Sequence, residues 1–99
     1  MIYDLEYFIA KFEAIPEDKW TVGTFVDDNG CMCAYGHCGF REDSLKNSTE
    51  QSTALKRLDD DTRTEYNSVI LVNDDMTNER GFGTTPKQRV VNYLKSLRK

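Results

Sequence analysis

The sequence predicts an α+β fold: a small β-hairpin over about residues 20–35, packed against N- and C-terminal helices with two short helices between them. Three observations carry this expectation. Leu5, Phe8, Ile9 and Phe12 recur at i, i+3, i+4 and i+7, the spacing of one face of a helix. Aromatic and β-branched residues from Trp20 to Val26 and a second run from Cys31 to Tyr35 flank Asp27-Asp28-Asn29-Gly30, a turn signal between two strands. Thr85-Pro86-Lys87-Gln88 places a capping Thr, a Pro at the first helical position and a Gln that can close a capping box, ahead of an apolar stripe.

In chain order, the first helix spans Asp4 to about Ala14 and is stopped by Pro16, which cannot continue it. The hairpin follows. Gly36 and Gly39 bracket a short turn or helical start through His37 and Cys38, and Arg41 to Lys46 reads as a polar connection. Thr49 caps a helix to about Leu58, with Leu55 and Leu58 on one face. Thr62-Arg63-Thr64-Glu65 fits a capping box for a helix carrying Tyr66, Val69 and Ile70. A buried strand at Val69–Val72 competes with that helix, since four branched residues in a row suit both. Asn73 to Gly83 is loop, and Val90, Val91, Leu94 and Leu97 form the stripe of the last helix. Trp20, Phe8, Phe12, Leu55, Val69, Val91 and Leu94 are expected to share the core.

The 99 residues, with 38% apolar and 30% charged positions, suit a single compact soluble domain. The longest apolar run is Val69-Ile70-Leu71-Val72, far short of the roughly 20 residues of a membrane span. Met1 to Glu6 lacks the basic and apolar regions of a secretory signal, so a cytoplasmic location is expected. The net charge of −4 is unevenly spread. Residues 1–50 carry four Lys or Arg against ten Asp or Glu, and residues 51–99 carry nine against seven. This acidity opposes direct nucleic-acid binding and favours a partner with a basic surface.

Several clusters hold side chains capable of chemistry. Cys31, Cys33, His37 and Cys38 put four metal-ligating types within eight positions, although a structural zinc site usually pairs two separated knuckles. No cofactor is expected, and buried thiols acting as small hydrophobes are the alternative to metal. A cysteine nucleophile would combine Cys33 with His37 and with Asn73 or Asp74 as orienting group. Asp59, Asp60, Asp61, Asp74 and Asp75 are candidate contacts for a basic partner, the alternative being a solvated face. A nucleotide-like ligand would instead use Tyr35, Phe40 and Phe82 as a stacking platform beside Lys87 and Arg89. P-loop, dinucleotide-binding, zinc-protease and hydrolase-elbow motifs are absent from the sequence.

Taken together, Gly30-Cys31-Met32-Cys33-Ala34-Tyr35-Gly36-His37-Cys38-Gly39, Val72-Asn73-Asp74 and Thr85-Pro86-Lys87-Gln88-Arg89-Val90 resemble a small family of uncharacterised phage and bacterial proteins. Its members show a Trp-containing approach, a Cys-Ala-x-Gly-His/Ala turn, an Asn-Asp corner and a final Thr-Pro-x-x-Arg helix. Trp20, Cys33, Gly36, Asn73, Asp74, Thr85, Pro86 and Arg89 match, over about residues 5–97. The acidic stretch before the corner and the loop from Asp75 to Thr84 depart from the pattern. The resemblance implies a phage or mobile-element context and brings no activity. The resulting expectation is a non-catalytic interaction protein, a phage-encoded modulator or anti-defence inhibitor acting on a host protein in the bacterial cytoplasm. A small-ligand sponge and a cysteine-dependent enzyme are the alternatives.

Overall fold

Asp4 opens the first helix, α1 (Leu5–Glu13), its carboxylate accepting from the Tyr7 N–H at 2.9 Å. Phe8, Ile9 and Phe12 fall on its buried face, each worth about 1.5–3 kcal/mol of burial. In the computed structural model, which describes residues 2–40 and 49–98, a 3-10 turn (Glu17–Lys19) follows. Then come α2 (Ala34–His37), α3 (Glu50–Thr62), α4 (Val69–Asn73) and α5 (Pro86–Ser96).

The described residues are helical and contain no strand, which corrects the α+β expectation. The turn of the expected hairpin is present. Asp27 Oδ1 accepts from the N–H groups of Asn29 and Cys31, and Gly30 adopts φ +81°, a left-handed conformation that glycine adopts without a Cβ penalty. Its arms do not run as strands. Gly23 has φ +77° and bends the first arm in its middle, while the second arm passes at Cys33 into α2. What remains are isolated bridges from Met32 to Trp20 and to Val26.

Helix α3 begins at Thr49 as expected, in a reciprocal capping box with Ser52, but continues past Leu58 to Thr62. The Thr62 hydroxyl donates to the Leu58 carbonyl at the end of α3 instead of capping a new helix. Of the two readings of the apolar run, the helix is present, but Ser68 caps it, accepting from the Leu71 N–H at 3.2 Å. Tyr66 therefore precedes α4 and is 69% exposed. Helix α5 carries Thr85 as cap and Pro86 at its start. The polar connection expected over Arg41 to Lys46 lies outside the described residues.

Helix α5 packs against α1 and α4, and α2 packs against α4. All seven expected core residues are buried, with Cys33, Tyr35, Cys38, Val72, Val90 and Tyr93 among others added to the same cluster. On the surface Lys95 with Glu13 links α5 to α1, and Arg98, just beyond α5, pairs with Glu6; such pairs contribute little there. No helix among the described residues is long and apolar enough to cross a membrane.

Candidate functional site

Helix α2 has four residues and no side chain of its own capping its start. Its first amide is served from another part of the chain: Asn73, the last residue of α4, accepts from the Ala34 N–H at 3.2 Å. The Asn73 amide group also donates to the Thr21 carbonyl at 3.0 Å and to Asp74 Oδ1 at 2.9 Å. Asp74 Oδ1 in turn accepts from the Gly23 N–H at 3.1 Å. One Asn-Asp pair thus joins α4, the start of α2 and the bend after Trp20.

Arg89 holds that pair in place from behind. It is 1% exposed, and its Nε and Nη2 donate to the Val72 and Asn73 carbonyls at 3.0 and 2.8 Å. A guanidinium is well suited there, because a helix C-terminus leaves carbonyls without intrahelical partners and carries partial negative charge. Gly36 completes the joint, since a Cβ at that position would collide with the Phe25 carbonyl. The positions that carry the sequence resemblance therefore have structural work to do. Trp20 lies in the core, Cys33 precedes α2, Gly36 permits a close approach, Thr85 and Pro86 start α5, and Asn73, Asp74 and Arg89 form the joint.

In front of the joint is a cavity of about 220 Å³ between the Gly23–Phe25 bend, the start of α2 and α4, with Ile70 and Asp74 on the α4 side. A second, shallower depression on the other flank of α4 is bordered by Arg63, Glu65 and Leu71. Between them Ile70 and Leu71 are 44% and 42% exposed, and Tyr66 and Met76, on either side of α4 in sequence, are 69% and 72% exposed. The apolar pattern gave this segment a helix but not its exposure. Val69 and Val72 take the buried positions, and a five-residue helix has no room to bury Ile70 and Leu71 as well.

The expected thiol constellation is not assembled. Cys33 and Asp74 share the cavity, but burial, aided by the Asp74 charge, pushes the Cys33 thiol up, so it stays protonated at neutral pH. The His37 ring packs instead on Trp20, with ring centroids 4.9 Å apart, and the hydrogen bond between His37 and Cys33 is a backbone one, the His37 N–H donating to the Cys33 carbonyl at 2.9 Å. Burial lowers its affinity for a proton, partly offset by the Lys19 and Met32 carbonyls. The Cys31 thiol donates to the Asp18 carbonyl, and Cys38 is buried with its thiol pushed up to about 12 by desolvation. Among the described residues no group of three His, Cys, Asp or Glu side chains is placed to hold a metal ion. Cys31, Cys33, His37 and Cys38 therefore do not converge on one ion.

The five expected acidic contacts separate into two kinds. Asp59 is 5% exposed and accepts from the Tyr35 hydroxyl at 3.2 Å and the Val69 N–H at 3.1 Å, tying α3 to α2 and α4. Asp75 is also 5% exposed and accepts from the N–H groups of Glu79 and Arg80. Asp60, Asp61 and Asp74 are exposed, and Asp60 pairs with Lys56 and Arg63. The aromatic platform is dispersed as well. Tyr35 is buried, Phe40 packs against Phe25 and Tyr35, Phe82 packs on Tyr93, and Arg89 is committed to α4. Comparison of the chain with family models, with curated proteins and with solved structures finds no match.

Proposed function

We propose that the chain is a non-catalytic interaction protein that docks on another protein through the exposed face of α4. The observation that carries this reading is the concentration of exposed large apolar side chains, Tyr66, Ile70, Leu71 and Met76, on one short segment; among the described residues the other is Ile2. Large apolar side chains gathered at the surface are characteristic of a contact site. Here Glu65 borders the depression beside Leu71, and Asp74 borders the cavity beside Ile70. Arg63 stands beside Glu65 in that depression, so it is Asp74, with the net charge of −4, that favours a basic partner and speeds its approach at low salt.

The resemblance to phage and bacterial proteins, the small size and the acidic charge support placing this activity in a bacterial cytoplasm. There the chain acts as a phage-encoded modulator of a host protein, an anti-defence inhibitor being the specific form proposed. A protein partner is favoured over nucleic acid by the net charge of −4, which repels phosphate at long range.

The test is affinity capture from bacterial lysate with three tagged proteins: the native chain, Leu71→Glu and Ile70→Glu. Both side chains are already partly exposed, so the variants remain folded. One protein retained in stoichiometric amount by the native chain and lost from both variants is expected. Equal retention by all three, or none by the native chain, would refute docking through α4.

A further inference from the structure

We propose that the cavity between the Gly23–Phe25 bend, α2 and α4 receives a single lysine side chain of the docking partner, an inference that rests on the α4 docking reading. Size is the first consideration. At about 220 Å³ the cavity falls below the roughly 300–1,000 Å³ typical of sites for whole small-molecule ligands. It suits one side chain.

The lining gives that side chain its chemistry. Phe25, Ala34, Val69 and Ile70 supply apolar wall, against which a methylene stem can lie while its charged end stays at the mouth. The charge at the mouth is Asp74, which is exposed and has no ion-pair partner among the described residues. Two of the amides lining the cavity are already engaged, Ala34 N–H by Asn73 and Gly23 N–H by Asp74. Among the described residues Asp74 is the one charged side chain of the lining, so a cation is the complementary occupant.

Lysine is favoured over arginine by the number of oxygens left open. Asp74 Oδ1 already accepts from Gly23 and from Asn73, leaving Oδ2 without a partner among the described residues. One free oxygen serves a compact ammonium, whereas a guanidinium fork engages a carboxylate best through both. The same two bonds hold the carboxylate in position before any ligand arrives, which lowers the ordering cost of binding.

The probe is Nα-acetyl-lysine N-methylamide, titrated into the native chain and followed by the amide resonances of Gly23, Ala34 and Asn73. Its Nε-acetylated and arginine counterparts are run beside it. The charged lysine probe is expected to bind about tenfold or more tightly than the Nε-acetylated one, the scale of a hydrogen bond to a charged group. Asp74→Asn should abolish that preference while keeping the fold, because the asparagine oxygen can still accept from Gly23. Equal binding of charged and acetylated probes, equal binding of the arginine probe, or a preference that survives Asp74→Asn overturns the inference. If Asp74→Asn does not fold, the comparison of probes on the native chain still decides. Failure of the lysine probe while partner capture depends on Leu71 refutes the cavity and spares the docking reading. Selective probe binding without any captured partner supports the cavity and counts against docking.

Discussion

Replacing Asn73 by Ala removes three hydrogen bonds and leaves their partners in unequal circumstances. Ala34 is 1% exposed, so its N–H loses its acceptor without access to water, at a cost of about 1–3 kcal/mol. The Thr21 carbonyl is half-buried and regains part of its hydration, adding up to about 1 kcal/mol. Asp74 is exposed and keeps the Gly23 bond, so its share is small. The expected loss is therefore about 1–4 kcal/mol, a sizeable fraction of the roughly 5–15 kcal/mol that holds a domain of this size together. At about 4–8 °C per kcal/mol, melting should fall by about 4–30 °C. Urea unfolding followed by the fluorescence of Trp20, the one tryptophan and 7% exposed, measures it. The denaturant slope should remain unchanged if only native contacts are lost. A loss below about 0.5 kcal/mol, within the range of ordinary surface substitutions, would refute the assignment of Asn73 as the link between α4 and α2.

Two further outcomes follow from buried titratable groups. Burial raises the Asp59 carboxyl above its ordinary value, with the Val69 N–H and Tyr35 hydroxyl pulling it partly back. The folded state then holds that proton more tightly than the unfolded one between about 3.9 and the raised value, so Asp59 stabilises the fold as pH falls through this window and costs stability above it. Asp59→Asn should remove this slope and be no less stable than the native chain at pH 7, as read from urea midpoints across pH; an unchanged slope would show that Asp59 is not its source. Of the three thiols, Cys31 is half-buried while Cys33 and Cys38 are buried and pushed toward protonation. A disulfide reagent at pH 8 should therefore react promptly with one thiol per folded chain, and with almost none in Cys31→Ser; prompt reaction of all three would contradict the burial of the other two.

The helices were legible where a local signal sufficed. The stripe of α1, the Thr49 and Thr85 caps and the stripe of α5 each depend on residues within a turn or two of one another. The hairpin failed because Trp20 to Val26 has strand composition while Gly23 in its middle carries the opposite instruction: an isolated glycine in a strand pattern marks a bend or a close backbone approach. In the candidate site, Cys33, Asn73 and Asp74 stood out in sequence and do meet. Their partners could not be seen, because Ala34 lies 39 positions from Asn73 and Gly23 lies 51 from Asp74. Asp59 and Asp75 read as surface charge because nothing local shows that α3 ends against α2 and α4, or that the backbone after Asp75 folds back onto its carboxylate. Arg89 carried one clue: it stands four positions before Tyr93 and beside Val90, at the edge of the α5 stripe, where a charged residue needs a buried acceptor.

The clamp of Arg89 on the end of α4 also makes the exposed surface of that helix conditional on assembly. A helix of five residues has no independent existence in water, so the ridge of Ile70 and Leu71 takes shape only when α5 has docked and its guanidinium has found the two carbonyls. A chain interrupted before α5 would carry the same side chains without presenting them as a surface. Under the proposed docking through α4, partner binding would thus read the completeness of the fold as well as the identity of the ridge.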